Sequence, residues 1–149
     1  MIDITLARIT HMEWVYQLEL TLRNEHVYIS IAPYDNCELG KWLYNEAINK
    51  YSQINEIETL ENEHKLFHYA ADRVVNWHNK RNKSAQSEAQ AQIDFEEVKK
   101  RSKEIIFLLT VIEYKLISIY QERENKKSKK YIETIKSPLE TLRRFITPK

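Results

Sequence analysis

Apolar residues recur along this chain with a helical period over several long stretches. Between about Asp3 and Asn24, His11, Trp14, Val15, Leu18 and Leu22 fall at i, i+3, i+4, i+7 and i+11. That is one face of a helix with 3.6 residues per turn, and it puts His11 on the inward side, one turn before Trp14. The next stretch, Glu25 to Asn36, contains Val27, Tyr28, Ile29, Ile31 and Pro33. It is short and interrupted by proline, and it reads as a connection packed against its neighbours. A second helix is predicted to start near Asp35, because Asp35 and Glu38 have the spacing of a capping box. Cys37 then falls in its first turn, with Gly40, Tyr44, Ile48 and Tyr51 on its stripe. A glycine inside a helix costs about 1 kcal/mol relative to alanine. Close approach of another helix near Cys37 would offset that cost.

A third helix is predicted over roughly Asn55 to Lys83. Ile57, Leu60, His64, Phe67, His68, Ala71, Val74, Val75 and His78 recur there at helical spacing. The polar stretch NKRNKSAQSEAQAQ follows, readable either as a turn between long helices or as exposed helix. Val98, Ile105, Leu108, Leu109, Ile112, Leu116 and Ile119 mark a fourth helix from about Ile93 to Asn125. After the basic run Lys126–Lys130, Ser137-Pro138-Leu139-Glu140 combines a capping box with proline at a first helical position. It predicts a short last helix bearing Leu142 and Ile146. The expected fold is all-α: an antiparallel four-helix bundle over residues 1–125. Residues 126–149 would form a basic linker and a short additional C-terminal helix.

Composition sharpens this picture. The chain has 149 residues, the length of one domain. It contains one glycine, which excludes GxGxxG and Walker-type phosphate loops and argues against turn-rich β folds. Lys+Arg 23 against Asp+Glu 22 leaves +1, so no basic field draws in nucleic acid. One cysteine excludes an intramolecular disulfide and suits a reducing compartment. The opening MIDITLARITHMEW has no long apolar run of the signal-peptide kind. The most apolar stretch, Ile105–Ile119, is interrupted by Glu113 and Lys115, against a conventional spanning helix. The expectation is a cytoplasmic protein with no membrane and no nucleic-acid partner.

The histidines and the cysteine carry the candidate chemistry. His64 and His68 are four residues apart, so their rings project from one helix face and can share an ion. His11 lies on the inward stripe of the first helix and Cys37 opens the second. Intervals of roughly 26 residues separate His11 from Cys37 and Cys37 from His64, which returns an up-and-down chain to about the same level. Three imidazoles and a thiolate would make a closed N₃S set suited to Zn²⁺. Each residue also has a plainer reading. His64 and His68 can be a chance pair, His11 a hydrogen-bonded core histidine and Cys37 a small buried hydrophobe. His26 and His78 have no partner at ligand spacing and read as ordinary side chains. Trp14, Trp42 and Trp77 read as core or groove fillers, and Lys126–Lys130 as a solvated face.

Three segments together resemble the chemoreceptor zinc-binding (CZB) domain family. They are His11-Met-Glu-Trp14, Cys37-Glu-Leu39-Gly40-Lys-Trp42 and His64-Lys-Leu-Phe67-His68. They match its His-x-x-Trp, its Cys-x-Leu/Phe-Gly-x-Trp and its His-x-x-Phe-His, in that order. The resemblance covers residues 1 to about 80. It implies a four-helix bundle holding Zn²⁺ through His11, Cys37, His64 and His68. In that family such domains serve bacterial signalling, sit on chemoreceptors or diguanylate cyclases, and in some cases form homodimers. They report zinc availability, and the cysteine in some receptors responds to oxidants such as hypochlorous acid. By that analogy Cys37 is the redox-sensing candidate, the chain is expected to homodimerise, and its partner is a signalling output protein or domain. No methyl-accepting coiled coil, cyclase or kinase region is present, so the chain is expected to act alone or as the sensory piece of a larger protein. Loss of zinc or oxidation of Cys37 is expected to loosen the N-terminal end of the second helix.

Two other functional classes compete. In a zinc hydrolase a coordination position stays open to water, and Lys65 stands where His-Glu-x-x-His needs its glutamate. A di-iron bundle needs two Glu-x-x-His pairs, and only Glu61-Asn-Glu-His64 is present. No enzymatic activity is therefore expected. A metal-free helical protein-interaction module is the remaining alternative.

Overall fold

The computed structural model describes residues 3–24 and 26–146, with side chains as far as Thr134. Among the described residues the chain is helical, with no strand. It divides into two compact units, Met1–Glu113 and Tyr114–Lys149. The elements are α1 (Ile4–Leu22), α2 (Glu38–Trp42), a π-helical turn (Leu43–Ala47), α3 (Ile48–Lys50), α4 (Glu56–Asn79) and α5 (Ala85–Ile146).

Asp3 starts α1 by accepting a hydrogen bond from the Leu6 N–H at 2.9 Å, which satisfies one of the free donors of the first turn. The expected stripe faces inward: Leu18 is buried, and His11, Trp14, Val15 and Leu22 are half-buried. The other side of α1 is apolar too, with Leu6, Ile9, Met12, Tyr16 and Leu20 exposed.

The start of α2 differs from the capping-box expectation. Cys37, not Asp35, is the N-cap, and its Sγ accepts from the Gly40 N–H at 3.4 Å. The Asn36 and Cys37 N–H groups both bond to the Pro33 carbonyl, so the turn before the helix absorbs Asp35. The close neighbour of Gly40 is this turn rather than a helix. A Cβ on Gly40 would lie 1.8 Å from the Tyr34 carbonyl oxygen. The core side of this helical run is Leu39, Trp42, Leu43 and Ala47. The expected stripe of Tyr44, Ile48 and Tyr51 is only half-buried.

The connection before α2 packs on α4, as its apolar residues require. The Asn79 side chain accepts from the Ile29 N–H at 3.1 Å and donates to the Ile29 carbonyl at 2.7 Å. Buried His78 is 2.7 Å from the Val27 carbonyl through Nε2. These bonds satisfy main-chain groups that lie outside any helix.

Helix α4 is the centre of the first unit. Ten of its residues are buried, including Leu60, His64, Phe67 and Val74, and each large apolar one contributes about 1.5–3 kcal/mol. The polar stretch after it resolves into a turn and then helix. Ser84 and Ser87 bond each other's main-chain N–H at 3.2 and 3.0 Å and open α5. Arg73 pairs with Asp94 and Glu97, and Arg101 with Glu63. These contacts run in opposite order along α4 and α5, so the two helices are antiparallel in this unit. Val98, Ile105, Leu109 and Ile112 supply the facing core.

In the second unit the expected break at Ser137-Pro138 is absent. The backbone stays helical to Ile146, so the separate short C-terminal helix is replaced by a continuation of α5. Proline removes one main-chain donor and disfavours helix at the residue before it, and here that local preference yields to the helix already running. The side chains of Ser137, Glu140, Leu142 and Ile146 lie outside the described residues. Residues 126–130 are exposed, with Lys127 paired to Glu124 at 2.9 Å, which matches a solvated face. No helix among the described residues is long and apolar enough to cross a membrane.

Candidate metal centre

Two helices bring three soft donors together. Cys37, at the mouth of α2, places its Sγ 3.2 Å from His64 Nε2. One turn along α4, His68 places its Nε2 3.1 Å from the same atom. The ligand atoms of Cys37, His64 and His68 all lie within 4.8 Å of one another. The edges of a tetrahedral zinc site are about 3.3 Å between nitrogens and about 3.6 Å between nitrogen and sulfur, given Zn–N near 2.05 Å and Zn–S near 2.3 Å. The two observed edges lie close to those lengths, so the donor set fits a small soft cation.

His11 stands apart from this group but borders the same space. It lines a cavity of about 420 Å³ with Cys37, His64, Phe67 and His68. Its ring lies 4.3 Å from Phe67, centroid to centroid. Its Nε2 is buried without a hydrogen-bond partner, as are the Nδ1 atoms of His64 and His68. Buried polar groups are ordinarily paired, so the partnerless His11 Nε2 beside this cavity fits a metal donor.

The electrostatics favour ligation over protonation. Burial, with His68 beside it, lowers the His11 pKa to about 4. Burial and the neighbouring His68 and His11 take His64 to about 3. His68 is lowered by burial, against the opposing pull of the Ala32 carbonyl and Asp35. All three rings are therefore neutral near pH 7, the protonation state a metal requires. Cys37 behaves differently from the expectation drawn from the helix dipole. Burial raises its pKa, and the Gly40 and Leu39 main-chain groups offset only part of that. The sulfur is within 3.5 Å of the Tyr34 carbonyl, a thiol donating there. A cation, rather than the dipole, is what would stabilise the thiolate.

The remaining residues singled out in the sequence fall as plain structure. His26 is exposed, and His78 is the buried anchor of the Val27 connection. Trp42 is in the core, Trp14 stands edge-on to Phe67 at 5.4 Å, and Lys83 sits over the Trp77 ring at 4.8 Å. Sequence reasoning missed Tyr34, whose carbonyl touches Cys37 and whose ring borders Tyr44 and Tyr69. It also missed the Tyr44–Glu61–Lys65 network on the outer side of α4. Only the Pro33-Tyr34 pair just before a capped cysteine hinted at the first.

Fold and site together define a helical domain with a Cys/His₂ donor cluster, its two histidines buried and its cysteine half-buried. Residues 11–75 match the family model of the chemoreceptor zinc-binding domain. That is the family which the three motifs resemble, and the matched stretch contains all three of them. No curated protein and no solved structure matches the chain.

Proposed function

We propose that this chain is a zinc-binding sensory domain of bacterial signalling that holds Zn²⁺ through His11, Cys37, His64 and His68. The observation that carries the reading is the convergence of the Cys37, His64 and His68 donor atoms within 4.8 Å of one another, inside the stretch that matches the zinc-binding family. A bound Zn²⁺ supplies the positive charge that stabilises the Cys37 thiolate and links the elements bearing its ligands. Four protein donors leave no open position for substrate water, which supports a sensor rather than an enzyme.

The proposed architecture is an antiparallel four-helix bundle formed by α1, the α2–α3 run, α4 and the first part of α5. The proposed signal is zinc availability, or an oxidant acting at Cys37. With hypochlorous acid, oxygen passes to the sulfur, chloride leaves, and the resulting sulfenic acid ligates poorly. The proposed output is a shift in the bundle read by a chemotaxis or cyclic-di-GMP partner, in a cytoplasmic homodimer.

The test is elemental analysis of the purified protein beside Cys37→Ala and His68→Ala, before and after strong chelation. The expected result is about one zinc per chain in the wild type and less in both variants. Zinc-free wild type, even after reconstitution, would leave the metal-free interaction module as the reading.

A further inference from the structure

The four proposed ligands are not equivalent. Cys37, His64 and His68 already stand at ligand spacing, while His11 is outside that group and rests on Phe67. The three assembled residues sit on well-held elements. His64 and His68 belong to α4, with its ten buried residues. Cys37 is fixed by the Pro33 turn, by Gly40 against Tyr34 and by Leu39 and Trp42 in the core. His11 belongs to α1, which fully buries only Ile4 and Leu18 of its 19 residues. Besides Ile4, Leu18 and the half-buried stripe with His11 and Trp14 against Phe67, α1 is tied by Arg8, which reaches Thr110 at 2.9 Å and Glu113 at 2.7 Å. Such surface-side polar links contribute little. A helix with so few fully buried residues opens at low cost, and its histidine shares the wall of the 420 Å³ cavity with the cluster.

We infer that His11 is a tether. Its engagement with the Cys37/His64/His68 cluster fixes α1 against α4, and its release frees α1 while the three-residue cluster stays assembled. This rests on the zinc reading above and names the element that changes: α1, rather than the N-terminal end of α2. Freed or fixed, α1 carries the exposed row Ile9, Met12, Tyr16 and Leu20, so the position of an apolar surface follows the state of the site. Coupling of this kind needs only that the ligated site favour the closed position of α1 over the open one.

The experiment is hydrogen exchange followed by mass spectrometry on the full chain, with and without one equivalent of zinc, for wild type and His11→Gln. Metal content is measured on the same samples. In the wild type, zinc should slow exchange across Ile4–Leu22 by about tenfold or more. In His11→Gln, which keeps a side chain of similar size, zinc should still slow exchange around His64 and His68 and leave α1 unchanged. Equal α1 exchange with and without zinc in the loaded wild type overturns the proposal, and that comparison stands even if the variant folds poorly. Zinc-dependent α1 protection that persists in a loaded His11→Gln also overturns it, as does a change confined to Glu38–Lys50. Failure of the wild type to bind zinc would show in the metal content, and would remove the zinc reading together with the tether.

Discussion

Helices α1 and α4 both bring histidine to one cavity, and both were visible in the sequence as amphipathic stripes, yet they are held very differently. The stripe of α4 is a packed seam, with Leu60, Phe67, Ala70, Ala71 and Val74 almost without solvent contact. The stripe of α1 is half-buried, and the opposite face of the helix is about as apolar as the buried one. A rigid helix can present two ligands one turn apart with little further ordering. A loosely held helix must be ordered as its ligand engages, and that ordering subtracts from the affinity gained. The two histidine sources should therefore differ in what they contribute to binding and in what they report.

The largest expected effect is on affinity. His64 touches both Cys37 and His68, so His64→Ala removes the hub of the assembled cluster. We expect zinc affinity to fall about a thousandfold or more, and only about ten- to hundredfold for His11→Gln, in competition with a chromophoric chelator. Equal losses in the two variants would erase the distinction between cluster and tether.

The pairing of His64 with His68 was legible because a helix repeats every 3.6 residues, and four residues is a distance that helix geometry fixes. The motif spacing also brought Cys37 to that pair. What the sequence did not disclose was how firmly each donor is held. That depends on burial summed over a whole helix and on backbone contacts such as Tyr34 against Gly40. Neither has a period. The capping of α2 was missed for the same reason: Asp35 and Glu38 have the right spacing, but the Pro33 turn places Cys37 at the cap. Ser137-Pro138 misled in the opposite sense, since a strong local start signal lies within a helix already under way.

Gly40 gives the next test. The Tyr34 carbonyl oxygen would stand 1.8 Å from a Cβ there, and this contact is with backbone, which cannot swing aside. Gly40→Ala should destabilise the protein by about 2–3 kcal/mol. That figure already includes the better helix propensity of alanine. Chemical denaturation checks it, with zinc binding on the same sample. Moving the Pro33–Asn36 turn also displaces Cys37, so affinity should fall together with stability. Retained stability would mean that the turn yields freely, and Cys37 would then count with the loosely held ligands.

Acid separates the metal-free states. His11 and His64 titrate in the folded chain near 4 and 3, below the ordinary histidine value of 6.5, because of burial and neighbouring rings. Between those values and 6.5 the unfolded chain binds more protons, so folding stability rises with pH across that window and is lost as pH falls through it. Each histidine contributes up to about 1.4 kcal/mol per pH unit in the steepest part. Metal-free protein should therefore lose stability on going from pH 6.5 to 4. Local opening of α1 should release the cost at His11 first, so exchange in Ile4–Leu22 should accelerate at a higher pH than exchange in Glu56–Asn79. Simultaneous acceleration would place His11 and His64 in one cooperative unit.

The smallest expected effect belongs to Arg8, the polar link from α1 to Thr110 and Glu113. The pair is partly solvated, with 20% and 32% of the two side chains exposed, so Arg8→Ala should cost only about 0.5–1 kcal/mol of global stability. Its local consequence should be larger. In the metal-free chain the guanidinium is one of few ties on α1, and its removal should speed amide exchange there. With zinc bound, His11 provides a second tie near the same end of the helix. The same substitution should then change α1 exchange much less. High salt should mimic the variant in the metal-free protein, because it screens the Arg8–Glu113 pair without touching the apolar contacts at Phe67. If Arg8→Ala speeds α1 exchange equally in both states, the second tie is absent, and α1 is held by its packing alone.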